Sequence, residues 1–291
     1  MAINSAAMLR LLRPHQWLKN GFVFVGLLFG HVWDQTQTIQ AVLMTAAAFC
    51  LVSSAIYAVN DLYDREADRL HPQKRHRPLA AGLVTPGQAI TLALLCAVTG
   101  LLLAYAASFE AFLIVLGYAV LNIAYSWHLK QVVILDVFII AAGFMLRILA
   151  GTIGVGIPPS SWLLLTGLMV TLFLGFAKRR SEMAVMERGG EAGRKVLLNY
   201  SLPMLDLMIG VCAAGVVMSY SLYTMSAETL AIHHTDKLIY TVPFVLYGLF
   251  SYLHLTFSSG AGEDPARDLI RDPHMLLTVL GWGALTFWLL A

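Results

Sequence analysis

Residues 41–68 read AVLMTAAAFCLVSSAIYAVNDLYDREAD: an uncharged apolar run through Val59, then the oxygen-bearing side chains Asn60, Asp61, Asp64 and Asp68. An apolar run of about 20 residues is what a helix needs to cross a bilayer, so these polar residues stand where the chain leaves the membrane. If the helix continues past Val59, Asp61, Asp64 and Asp68 fall at i, i+3 and i+7, and Asn60, Asp64 and Asp68 at i, i+4 and i+8, on one face. Hard oxygen ligands suit Mg²⁺, and Mg²⁺ in turn favours phosphate partners. The competing reading is a solvated charged loop in which Arg65 and Arg69 pair with these acids.

Working outward, the rest of the chain is as apolar as this stretch. Of 291 residues 58% are hydrophobic and 12% charged, and the mean hydropathy is +0.72; a soluble domain carries about 25% charged residues. The chain therefore reads as an all-α integral membrane protein. Cys50, Cys96 and Cys212 lie far apart inside apolar runs, which argues against a disulfide framework or a thiolate metal site. Basic residues precede the first apolar run without a small-residue cleavage pattern, so no cleaved signal peptide is expected. A net charge of +2 is too small to imply a nucleic-acid partner.

Apolar runs at 20–33, 39–60, 88–108, 109–126, 132–154, 160–178, 203–226, 238–258 and 272–290 predict nine transmembrane helices. No soluble domain or low-complexity linker interrupts them, so residues 1–291 are expected to form one transmembrane catalytic domain. All but two of the 19 Lys and Arg fall in the N-terminal arm and the even-to-odd connections; the exceptions are Lys237 and Arg147. The positive-inside rule then predicts a multi-pass protein of the cell (inner) membrane with a cytoplasmic N-terminus and site, and an outer C-terminus. The connection at 179–202, punctuated by Gly189, Gly190 and Gly193, is a candidate lid with a short helix.

Several constellations open to the same side. HPQKRHRPLAAG follows the acidic cluster and brings Lys74, Arg75, His76 and Arg77 within one loop of it; metal-binding acids beside cations are what a diphosphate requires. YSWHLKQVVILD carries Tyr125, Lys130 and Asp136. Asp136 lies inside an apolar run, where an ionised carboxylate costs about 2.5–3.5 kcal/mol on insertion scales unless it finds a partner. Arg147 lies three helical turns further on, about 16 Å along the axis, too far to pair with Asp136 directly. It needs another partner in the bundle or an interfacial anchor. FAKRRSE supplies Lys178, Arg179, Arg180 and Glu182; successive helical residues diverge by about 100°, so at most two of these cations face one site. GTIGVG at 151–156 has no preceding strand and reads as a helix terminator. His233 and His234 have no ligand-like companions.

Taken together these residues resemble the UbiA superfamily of intramembrane prenyltransferases, whose first signature, NDxxDxxxD, is matched by Asn60, Asp61, Asp64 and Asp68. The resemblance implies nine helices around a central cavity with Mg²⁺ at its cytoplasmic mouth. Members acting on aromatic acceptors usually carry a second, DxxxD-type motif where this chain has FAKRRSE. The chain is more similar to the branch containing decaprenyl-phosphate phosphoribosyltransferase, through RPHQWLKN, NDLYDREADRLHPQKRHRPLAAG, YSWHLKQVVILDVFIIAAGFMLR, FAKRRSE, VLLNYS and GEDPARDLIRDP.

That resemblance implies Mg²⁺-dependent transfer of 5-phosphoribose from phosphoribosyl diphosphate (PRPP) to a polyprenyl (decaprenyl) phosphate, giving a lipid-linked pentose precursor for cell-wall arabinan. It would place Asn60, Asp61, Asp64 and Asp68 on Mg²⁺, and Lys178, Arg179 and Arg180 on the 5-phosphate. Asp136 would steady the ribose or hold a second metal, and Lys130 and Tyr125 would orient phosphate oxygens. Lys19, Asn20, Lys74, Arg75, Arg77, Arg147 and Glu182 complete the expected substrate-binding set. Two rival functions are prenyl transfer from a prenyl diphosphate to an aromatic or tetrapyrrole acceptor, and transport of a polyprenyl lipid or ion. Transport predicts paired broken helices at the midplane, whereas these acids cluster at the interface. The oligomeric state is left open, a homo-oligomer included.

Overall fold

The structure is a computed structural model that describes residues 4–71, 74–127, 129–187, 195–258 and 271–290. Among these, every regular element is helical, and the chain divides into two compact units, Met1–Trp127 with Leu146–Pro158 and His128–Met145 with Pro159–Ala291.

In the first unit α1 (Ser5–Leu12) starts from Asn4, whose side chain accepts the Ala7 N–H, and stops at Arg13, a left-handed residue at φ 52°. A 3-10 stretch, Pro14–Phe24, leads into the short α2 (Val25–Phe29). The long α3 (Thr36–Tyr63) is followed by α4 (Arg65–Leu70), α5 (Pro86–Ala107) and α6 (Phe109–Trp127). A capping box between Thr85 and Gln88 and a proline in the first turn fix the start of α5.

The spine of this unit is α3. A glycine of α5 lets that helix approach it closely: a Cβ on Gly100 would stand 2.8 Å from a Val52 methyl and 3.0 Å from the Ala48 carbonyl oxygen. One cluster around α3 joins Val42, Phe49 and Val52 to Val115, Tyr118 and Ala150. The other seats Ala7 and Leu11 of α1 against Ala55, Ala58 and Leu79.

The second unit takes in residues 135–145 of α7 (Leu135–Ala150), whose residues 146–150 belong to the first. It continues with α8 (Ser161–Glu187), α9 (Leu202–Met225), α10 (Ala227–His233), α11 (Val242–Ser258) and α12 (Pro273–Leu290). Its core joins Val137, Phe173, Phe176, Leu205, Ile209 and Tyr252. A side chain on Gly175 would meet a Val137 methyl at 2.6 Å, so the glycine lets α7 and α8 touch.

Eight helices among the described residues are long and apolar enough to span a membrane, and the protein is a multi-pass membrane protein. They match eight of the nine expected segments to within a few residues, except that α8 runs nine residues past its apolar stretch. The first expected segment, 20–33, is instead a 3-10 stretch through Phe24 and a short α-helix, Val25–Phe29, that ends at Gly30 and His31, the latter with φ 50°. The nine-helix count is thus approximate. The candidate lid at 179–202 is α8 as far as Glu187 and a 3-10 turn over Lys195–Asn199. Its glycines lie outside the described residues.

Candidate active site

The helix expected to carry the acidic cluster ends at Tyr63 and resumes at Arg65, with Asp64 at φ −85°, ψ 2° between them. The helical path nonetheless carries through, because the Asp64 N–H donates to Asn60 (2.9 Å) and the Asp68 N–H to Asp64 (2.8 Å). Asp61 and Asp68 turn inward, 2% and 3% exposed, while Asn60 and Asp64 are half-buried. Arg77 joins the two buried acids: a single Nη1 donates to Asp61 Oδ1 at 3.1 Å and to Asp68 Oδ2 at 2.7 Å. Arg13 Nη2 donates to the same Asp61 oxygen.

Arg13 is aimed there by the anchoring of α1 on α3. Ser54 Oγ donates to the Leu12 carbonyl (2.8 Å), and Trp17 Nε1 donates to Ser54 Oγ (3.0 Å). The result is a cavity of about 550 Å³ lined by Arg10, Arg13, His15, Asp61 and Arg77 together with Leu9, Pro14 and Pro78. Three guanidiniums around one carboxylate make a pocket for an anion. Of the basic loop expected beside the acids, Arg77 pairs with them, whereas Lys74 and Arg75 are exposed on the 3-10 turn Lys74–His76. Arg10 and His15 went unnoticed in the sequence because nothing in their local pattern separates them from an amphipathic anchor.

Arg147, also in the first unit, is 5% exposed. Its Nε donates to Asn20 Oδ1 (2.7 Å), its Nη2 to the Tyr118 hydroxyl (2.9 Å), and its guanidinium lies over the Tyr118 and Phe49 rings at 4.6 and 5.5 Å. Asn20, expected with Arg147 among the substrate-binding residues, is 2% exposed and serves as an acceptor for the arginine. Delocalised charge over ring faces is how a guanidinium is held in an apolar interior. Lys19, its sequence neighbour, is half-buried.

In the second unit Asp136 is fully buried. Its Oδ2 accepts Arg179 Nε at 2.7 Å and its Oδ1 accepts the Tyr200 hydroxyl at 2.7 Å, which in turn accepts the N–H of Ile134, also at 2.7 Å. Ile134 has φ 69°, an unfavourable backbone for a β-branched residue, and the tyrosine ties that turn down. Burial first, and the Asp136 hydrogen bond next, push the Tyr200 phenol above its ordinary range, so it stays a donor. Arg179 Nη1 also holds Glu182 Oε2 at 2.5 Å.

Arg179, expected on a phosphate, is therefore 0% exposed and engaged by internal carboxylates. Arg180 pairs with Asp206 (2.5 Å) and stacks 3.6 Å over Phe257. Lys178, Lys130 and Tyr125 are half-buried. Nothing in the local sequence marks Tyr200, because its partner lies 64 residues away.

A sequence model of the UbiA prenyltransferase family matches residues 21–277. The chain is 34% identical to decaprenyl-phosphate phosphoribosyltransferase of Corynebacterium glutamicum, over 94% of this chain and 84% of the relative. It is 30% identical to the protein of the same name from Mycolicibacterium smegmatis, over 95% and 90%. Among solved structures it is similar in fold to a UbiA homolog from Archaeoglobus fulgidus bound to GPP and Mg²⁺, with a TM-score of 0.72, 21% identity, and coverage of 98% of this chain and 99% of the other. The chain belongs to the UbiA prenyltransferase family.

Proposed function

We propose that this protein transfers 5-phosphoribose from PRPP to a polyprenyl phosphate and releases diphosphate. The observation that carries this reading is the similarity, over nearly the whole chain, to relatives named decaprenyl-phosphate phosphoribosyltransferase. The donor set at the first cluster fits a divalent cation: two carboxylates already converge on a single positive nitrogen, Arg77 Nη1. Among the described residues no three His, Cys, Asp or Glu side chains group as a complete metal cage. Mg²⁺ is commonly held by one or two carboxylates, with water and substrate phosphates filling the remaining positions. Asp61 and Asp68 would hold it, with Asn60 and Asp64 the neighbouring oxygen donors on the same stretch. When bound, the metal supplies Lewis-acid stabilisation of the departing diphosphate.

The chain's own residues do the rest. Arg13 and Arg77, with Arg10 beside them, neutralise the diphosphate in the cavity they line. As the C1–O bond to diphosphate breaks, its electron pair leaves with the diphosphate, and an oxygen of the lipid phosphate forms the new bond to C1. That phosphate is ionised near neutral pH, so no strong general base is needed. Lys178 is assigned to the 5-phosphate, with Arg180 able to join it by leaving Asp206, and Lys130 and Tyr125 orient phosphate oxygens. Asp136 and Arg179 act from beneath the surface, by fixing α7 against α8. The whole chain is taken as one catalytic domain, since the family match runs through both units. The distribution of Lys and Arg favours the inner cell membrane, with the acidic cluster and N-terminus cytoplasmic and the C-terminus outside.

The test is to incubate purified protein with Mg²⁺, PRPP labelled in the ribose and a polyprenyl phosphate, and to follow label into the organic phase. Mg²⁺-dependent lipid labelling supports the reading. No labelled lipid, alongside turnover of a prenyl diphosphate with an aromatic acceptor, overturns it.

A further inference from the structure

The second unit contains a carboxylate pair built like the first. Asp136 Oδ2 and Glu182 Oε2 converge on one guanidinium, that of Arg179, at 2.7 and 2.5 Å, as Asp61 and Asp68 converge on Arg77. The two guanidiniums differ in their freedom. The side chains of Arg13 and Arg77 are 22% and 29% exposed, border a cavity, and can turn toward an arriving anion. The side chain of Arg179 is 1% exposed, against an Asp136 side chain that is 0% exposed. It also belongs to the same helix as Glu182, three residues earlier. Asp136 has no oxygen to spare, because Tyr200 holds Oδ1 while Arg179 holds Oδ2. A metal entering here would have to displace a cation whose side chain is 1% exposed, past the partly exposed Glu182, and break a second hydrogen bond as well.

We propose that Arg179 is a built-in cation that closes this second carboxylate pair to metal, so that the protein takes one divalent ion per chain, at the Asp61–Asp68 cluster alone. Arg179 is a positioning residue: it touches carboxylates of its own chain, and it supplies permanently the positive charge that a second metal would bring. The second anionic end of the substrate then meets organic cations and no metal bridge. The inference rests on the reading of the first cluster as the metal site, but it is tested by binding, independently of turnover.

The experiment is a titration of the detergent-solubilised full chain with Mn²⁺, free ion being counted by electron paramagnetic resonance. Wild type is expected to bind one equivalent, and Asp61→Asn/Asp68→Asn none. Arg179→Met, where circular dichroism and size exclusion show it folded, is expected to bind a second equivalent, and Arg179→Lys to stay at one. Two equivalents on wild type would overturn the proposal, as would one equivalent surviving in the Asp61→Asn/Asp68→Asn variant or a folded Arg179→Met protein that still binds one. The wild-type stoichiometry decides the matter even if Arg179→Met does not fold. Failure of the phosphoribosyl-transfer reading would appear separately, as absence of labelled lipid with the Mn²⁺ stoichiometry unchanged.

Discussion

The two units hold the same ingredients, a carboxylate pair converging on arginine, in opposite states of accessibility. In the first, Asp61 and Asp68 are buried but their arginines are partly exposed and border a cavity. In the second, Asp136 and Arg179 are both sealed, and only the outer acid, Glu182, is partly exposed, at 21%. A partly exposed guanidinium loses little on leaving a carboxylate, since water and an incoming phosphate replace it. A sealed one cannot leave without stranding a buried charge, at a cost of about 3–5 kcal/mol. Similar charge pairs thus suit opposite tasks: exchange of ligands in one unit, cohesion in the other.

The largest test of this difference lies in activity. Asp68→Asn removes one of the two converging carboxylates. Turnover in the lipid-labelling assay should fall on the order of a hundredfold or more, as when a preorganised electrostatic group is removed from a reaction site. Helical content should stay unchanged. Asp136→Asn should do the reverse, lowering the thermal midpoint by removing the buried one of Arg179's two counter-ions, a loss of up to about 3–5 kcal/mol. Adding Arg179→Met to it should recover part of that loss, because no buried charge is then left alone. If the double variant were no more stable than Asp136→Asn, the sealed-pair account would fail.

Arg147 sharpens the contrast further, since it donates to the neutral Asn20 and Tyr118 and its guanidinium stacks on rings. Arg147→Lys keeps the charge but loses the planar fork and the stacking. We expect a stability loss of about 1–3 kcal/mol, the cost of leaving buried acceptors unsatisfied, read as a lower denaturation midpoint in detergent. An unchanged midpoint would show that charge alone, and not the fork, matters there.

Much of the fold was legible because a bilayer demands long uncharged runs, and α3, α5, α6 and α9 end within about three residues of where the apolar stretches do. The acids of the first cluster were legible for the same reason, standing where an apolar run stops. Of their partners, Arg77 was legible from its nearby loop, whereas the more distant pairings were not. Arg13 meets Asp61 across 48 residues and Arg179 meets Asp136 across 43; no helical spacing encodes such pairs. Residues 178–182 looked like a charged exit from the membrane, because a run of Lys and Arg marks a solvated end only when its counter-ions are solvent. Here Asp136 and Asp206 supply them from α7 and α9, and the helix continues to Glu187.

The finest test concerns Tyr200, which sits at the closed edge of the sealed pair. Tyr200→Phe leaves the ring in place and removes the hydroxyl that holds both Asp136 Oδ1 and the Ile134 N–H. The expected cost is about 1–3 kcal/mol for groups left without a partner. The phenol's pKa is raised in the folded state by burial and by Asp136, so linkage gives the contribution a definite sign. It is fully present below the unfolded tyrosine value of about 10 and is lost as pH rises through the higher folded value, because the unfolded chain releases the proton first. The stability difference between wild type and Tyr200→Phe should therefore be constant from neutral pH to about pH 9 and narrow above about pH 10. A difference that stayed level through the alkaline range would mean that the hydroxyl contributes only by filling space, and that Arg179 alone keeps Asp136 in place.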